Sequence, residues 1–161
     1  MMPRFPCFFN DDSEKISTFS MKKVIYVFLF LAYFTPPLLS QVAVIAHRDV
    51  PVDQIKKSEL LDFFIGDIKK WKDGTAVVIF DMKEKKDVKI TFYKYLGKTS
   101  SRMKSIWMKN MLAGEGAPPK AVKTPRQMLL EVASTPGAIG FIDAKYVDKS
   151  VKVLKTIPIK K

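Results

Sequence analysis

The sequence predicts an α/β domain with a mostly parallel or mixed sheet flanked by helices. Three observations carry that expectation. Short apolar runs recur at wide spacing: VAVIA (42–46), AVVIF (76–80) and AIGFI (138–142). They are continuous rather than alternating, as in strands buried on both faces. Between them lie segments with a helical apolar period and recognisable start and stop residues.

VAVIA opens the domain as its first strand. Leu60, Leu61, Phe63, Phe64 and Ile65 then make an apolar stripe after Ser58-Glu59, and Gly66 ends that helix. AVVIF is the second strand. Val88, Phe92, Tyr95 and Leu96 share helical spacing and are closed by Gly97. Thr99-Ser100-Ser101 supplies a cap for a helix with the stripe Met103, Ile106, Trp107, Met111 and Leu112, which Gly114 and Gly116 stop. Thr124-Pro125-Arg126-Gln127 is a further helix start, with Thr as N-cap, Pro first and Gln third. That helix runs through Met128, Leu129, Leu130 and Val132 and turns at Ser134-Thr135-Pro136-Gly137 into AIGFI. VKVLKTI (151–157) alternates, which suits an edge strand. The aromatic and Met residues on these stripes read as core rather than as a stacking platform, with Phe63 and Trp107 as core residues and not ligand contacts.

Upstream of residue 41 the pattern changes. Met21-Lys22-Lys23 precedes the eleven-residue apolar run VIYVFLFLAYF (24–34), and a small residue follows at Ser40. Basic, apolar and small segments in that order predict a secretory signal peptide over 21–40, cleaved near Ser40. The apolar run falls short of the roughly 20 residues that span a bilayer. Residues 1–20 are then an upstream extension, 41–161 is the domain, and the expected location is the periplasm. Cys7 is the only cysteine. The 41–161 segment therefore has no disulfide framework, no thiol nucleophile and no Cys-ligated metal.

The whole chain has a formal charge of +12, and residues 41–161 alone carry +11. Such a surface attracts anions. Export argues against nucleic acid as the partner. His47 is the only histidine, so zinc ligation is not expected. No GxSxG, GxGxxG or P-loop occurs and the carboxylates stand singly, so neither an enzyme nor a cofactor is predicted.

The order of motifs is more telling than any one of them. IKKSELLDFFIGDIKKWKDGTAVVIFD (55–81), FYKYLG (92–97), IWMKNMLAGEGAPP (106–119) and PGAIGFI (136–142) together resemble the phosphate-binding-protein-like family, the substrate-binding component of phosphate ABC transporters. The resemblance covers nearly all of 42–145. It implies a short single-domain member: one lobe resembling type 2 periplasmic binding proteins, where full-length members hold the anion between two. It further implies inorganic phosphate or another oxyanion as ligand, and a membrane transporter or envelope partner.

The resemblance also directs attention to the lysine-rich turn DMKEKKDVK (81–89). In phosphate-binding members the matching strand leads through an Arg to a Gly-Ser-Gly-Thr-type loop that opens a helix. Glycine there lets the backbone approach the anion, and the helix start adds N–H donors and positive potential. Counting back from Phe92-Tyr93, Met82 stands where the Arg would be, Lys85-Lys86 stand where Gly-Ser would be, and Asp87 and Val88 follow. The close-fitting donors are absent. Lys83, Lys85, Lys86 and Lys89 remain as candidate ligand-binding residues acting by charge, and Asp87 is expected to cap the helix. Attraction by exposed charges is screened and unselective. Two alternatives stay open: a solvated basic turn, and a ligand-free interaction module that kept the fold and docks on an acidic partner or envelope surface. Nothing in the sequence specifies the oligomeric state.

Overall fold

The computed structural model describes residues 41–83 and 87–159. The expected signal peptide, the upstream extension, Lys85 and Lys86 lie outside the described residues. The described part is a five-stranded mixed sheet with four helices, in agreement with the α/β expectation.

Strand β1 (Gln41–Ala46) lies between two antiparallel neighbours, β4 (Ala138–Asp143) and β5 (Lys152–Pro158). Val42 to Ala46 are all buried, as the continuous apolar run requires. Strand β2 (Val78–Met82) pairs in parallel with β4 on one side and with the short β3 (Lys120–Val122) on the other. The order across the sheet is β3-β2-β4-β1-β5. The alternating segment does form an edge, with Leu154 and Ile157 turned inward and Val153 outward.

Four helices cover this sheet: α1 (Lys57–Ile65), α2 (Asp87–Tyr95), α3 (Ser100–Leu112) and α4 (Pro125–Ser134). The caps follow the sequence signals. Thr99 Oγ1 accepts the Arg102 N–H at 3.1 Å, and Thr124 Oγ1 accepts the Gln127 N–H at 3.1 Å. Gln127 returns the bond by accepting the Lys123 N–H at 3.0 Å, which completes a capping box one residue earlier than the ideal one. At the core, Phe92 stacks on Phe141 with centroids 4.0 Å apart, and Phe64 meets Phe92 edge-on at 4.8 Å. These rings join α1 and α2 to the centre of the sheet.

Two of the quoted motif pieces, 55–81 and 136–142, meet in space. Trp71 packs on Phe63 with centroids 4.6 Å apart, and its Nε1–H donates to the Gly137 carbonyl at 2.9 Å. The same carbonyl accepts the Val78 N–H at 3.1 Å. Gly137 has φ +73, and any Cβ there would collide with the Ala76 carbonyl. FFIG, WKDG and PGAIGF are thus one packing unit that docks α1 and the β2 entrance onto β4.

The structure departs from the sequence expectation in four places. The strand expected over 76–80 begins at Val78, because the preceding residues form a tight hairpin. Lys70 bridges Ala76, the Trp71 N–H bonds the Thr75 carbonyl and the Val77 N–H bonds Lys69. Strand β2 is also less buried than a continuous apolar run suggests, with only Phe80 and Met82 inside. Strand β3 was not expected, since Lys-Ala-Val carries no apolar run. Three residues of the expected stripes face solvent: Met111 is 47% exposed and Leu112 80% at the end of α3, and Leu130 is 63% exposed in the middle of α4. Leu130 lies between the buried Met128 and Val132 on α4, so it falls on that helix's outer face.

Candidate functional site

Strand β2 runs parallel to both neighbours, so its C-terminal end is where a crevice is expected in an open α/β sheet. A cleft of about 450 Å³ opens there. Asp81 and Lys83 at the strand end, Lys89 and Tyr93 from α2, and one face of α3 line it, closed by Pro118-Pro119.

The polar centre of the cleft is an ion pair. Lys89 Nζ lies 2.7 Å from Asp81 Oδ2 and also donates to the Met82 carbonyl at 2.6 Å. The side chains are 12% and 18% exposed, so the pair is mostly withdrawn from water. The ammonium also sits 5.7 Å from the centroid of the Tyr93 ring. Burial first, and then the neighbouring Asp81 carboxylate, hold the Tyr93 hydroxyl well above the ordinary phenol range. Asp81 Oδ1 is buried and has no hydrogen-bond partner among the described residues.

Of the candidate lysines, the structure brings Lys83 and Lys89 to this one cleft. Their roles differ. Lys83 is exposed at the rim, its backbone N–H tied to the Val122 carbonyl at 2.7 Å. Lys89 spends its charge on Asp81 and Met82. Asp87 is the first residue of α2 rather than its N-cap, which falls outside the described residues. It brings its acidic charge to the first helical turn, where it complements the dipole and opposes a second anion.

Several cleft residues were not expected from the sequence. Lys104 places a second exposed cation on the rim, one helical turn after Ser100. Asp81 gave a readable signal, since a carboxylate closes an apolar strand. Trp107 is core, as expected, at 9% exposure, and yet its ring is part of the cleft wall. Trp107 Nε1–H donates to the Phe64 carbonyl at 2.8 Å, and Asn110 Nδ2 donates to Ile65 O at 2.8 Å. Helix α3 thereby satisfies carbonyls at the end of α1 that helix geometry leaves without partners. A second cleft, of about 290 Å³, shares Trp107, Pro118 and Pro119 with the first and continues past Val78 and Ile79.

The lone histidine has a local role: His47 Nδ1 accepts the Asp49 N–H at 3.2 Å in a turn. Among the described residues, no group of three or more His, Cys, Asp or Glu could hold a metal ion. No described helix is long and apolar enough to cross a membrane.

No family model matches the chain. Solved structures do. A protein from Clostridium perfringens, assigned as a phosphate ABC transporter substrate-binding protein and solved with phosphate bound, superposes with a TM-score of 0.60 at 20% identity over 72% of this chain and 44% of its own. PstS from Borrelia burgdorferi gives 0.54 at 15% identity over 72% of this chain and 47% of its own. An ABC-type phosphate transport receptor from Vibrio cholerae gives 0.50 at 20% identity, covering 73% and 46%. The chain spans less than half the length of each. The resemblance expected from the motifs therefore holds as a likeness of fold.

Proposed function

We propose that this protein is an exported, non-enzymatic binding module of the solute-binding type, and that its cleft takes phosphate or a related oxyanion weakly, by charge. One observation carries the reading: the cleft opens at the C-terminal end of β2 beside the start of α2, with Lys83 and Lys104 on its rim. In the sequence, Lys85 and Lys86 fall between Lys83 and the start of α2. Lys89 orders the site through Asp81 rather than meeting the ligand as a lone charge. The solved relatives in fold include one with phosphate bound, which supports the ligand class. The proposed location is the periplasm and the proposed partner a membrane transporter or another envelope component.

Weakness follows from the chemistry. The glycine and hydroxyl donors that would replace the anion's hydration shell are missing from the turn. Two unit charges about 4 Å apart gain only about 1 kcal/mol in bulk water. Calorimetry should therefore show phosphate binding that falls steeply from low to physiological salt, with sulfate competing almost equally. Micromolar binding insensitive to salt would overturn the charge-only reading and return the chain to selective solute binding. The second reading, an interaction module on an acidic partner, is favoured by the internal neutralisation of Lys89. Absence of any phosphate heat at low salt would leave that reading alone.

A further inference from the structure

The wall of the cleft is out of proportion to an inorganic ion. Against the rim cations stand Met103, Trp107, Met108, Met111, Pro118 and Pro119, almost all carbon. Met108 and Met111 are 46% and 47% exposed, although both lie on a helix whose other face is packed into the core. A phosphate ion at Lys83 and Lys104 would leave that wall wet. It would also face Asp81, whose charge is answered by Lys89 and not by the ligand. A cleft of about 450 Å³ with an apolar lining and a few placed polar groups has the size and character of a site for an organic molecule.

We infer that the cleft takes a small amphipathic anion: an acidic head at Lys83 and Lys104, and an apolar body laid across Trp107, Met108, Met111 and Pro118. The inference rests on the oxyanion reading only for the head group. Charge complementarity selects the sign, because the chain carries +12 and both rim side chains are lysines. Like charge also disfavours a second copy of this chain as the occupant. The flexible thioethers of Met108 and Met111 can adapt to bodies of different shape. The ligand class is thus an organic phosphate, sulfonate or carboxylate with several carbons, and inorganic phosphate is its truncated form.

The test is a chain-length series. Inorganic phosphate and the methyl, butyl and hexyl phosphate monoesters are titrated into the purified protein at low salt, where charge attraction is least screened, and followed by calorimetry and Trp fluorescence. Burying each added methylene should raise affinity about two- to fourfold. A Met108→Ser/Met111→Ser double variant changes exposed positions, so the fold is retained; it should flatten the series. Lys104→Gln should weaken all members by a similar factor. Equal affinity across the series, with measurable phosphate binding, overturns this inference and leaves the oxyanion reading standing. A rising series without detectable inorganic phosphate binding does the reverse. No binding by any member overturns both. A slope unchanged in the double variant overturns the placement of the body on α3. Capture by phosphatidylglycerol vesicles without binding of the soluble esters overturns the inference in favour of a membrane surface.

Discussion

The Tyr93 hydroxyl, the Asp81 carboxylate and the Lys89 ammonium form the polar centre of the cleft, and their charges constrain one another. Tyr93 resists ionisation because burial strips water from the phenolate and Asp81 repels it. Its folded pKa is therefore raised above the unfolded value of about 10. The unfolded chain loses this proton above that pH while the folded chain keeps it, so ionisation favours unfolding. The stabilising contribution is complete below about pH 10 and is lost as pH rises above it, with a slope of up to about 1.4 kcal/mol per pH unit. Denaturant unfolding of a Tyr93→Phe variant should show a weaker loss of stability between pH 10 and 11 than the unmodified protein. Identical alkaline profiles would mean that Tyr93 is not held as described. The residue types between β2 and α2 are legible in the sequence. What could not be read was which lysine is committed internally: Lys89 on α2 meets Asp81 at the end of β2, eight positions back, and that contact is set by tertiary packing rather than by local sequence.

Helix α1 shows how local signals and tertiary packing agree. Gly66 stops the helix at φ +88, and a Cβ there would stand 2.8 Å from the Trp107 ring. A Gly66→Ala substitution meets both problems at once. The left-handed backbone costs about 1–2 kcal/mol for an L-residue, and overpacking a filled site typically adds about 1–3 kcal/mol. Thr124→Ala, which removes only a cap, should cost about 1 kcal/mol. Thermal denaturation should therefore rank Gly66→Ala well below Thr124→Ala. The reverse order would show that α3 does not press on the end of α1. Helix ends were the most legible feature of this chain, because capping chemistry is local: Gly66, Gly97, Thr99 and Thr124 all act where the sequence placed them. Strand β3 was illegible for the opposite reason, since its pairing is supplied by β2 and not by its own residues. The β2 boundary slipped because the hairpin over 69–77 consumed two apolar residues.

At the scale of the whole molecule, the fold class and the edge strand β5 followed from apolar patterning, while the cleft wall did not. Met111 looks like a core residue by spacing, and only the structure shows it 47% exposed on the wall of the cleft. Export is a prediction at this same scale. Intact-mass measurement of periplasmic material should give a chain beginning near residue 41, and recovery there of residues 21–40 still attached would contradict it. The central claim is that anions meet this protein at the end of β2 and nowhere more strongly. Its most direct test is a phosphate titration at low salt followed by amide NMR of the 41–161 chain. Shifts should concentrate at Lys83, at the start of α2 over Asp87–Lys89, and on Ser100–Lys104 of α3, and they should collapse on adding salt. Shifts scattered over the lysine-bearing surface, or centred on β5 and its neighbouring turns, would contradict the account.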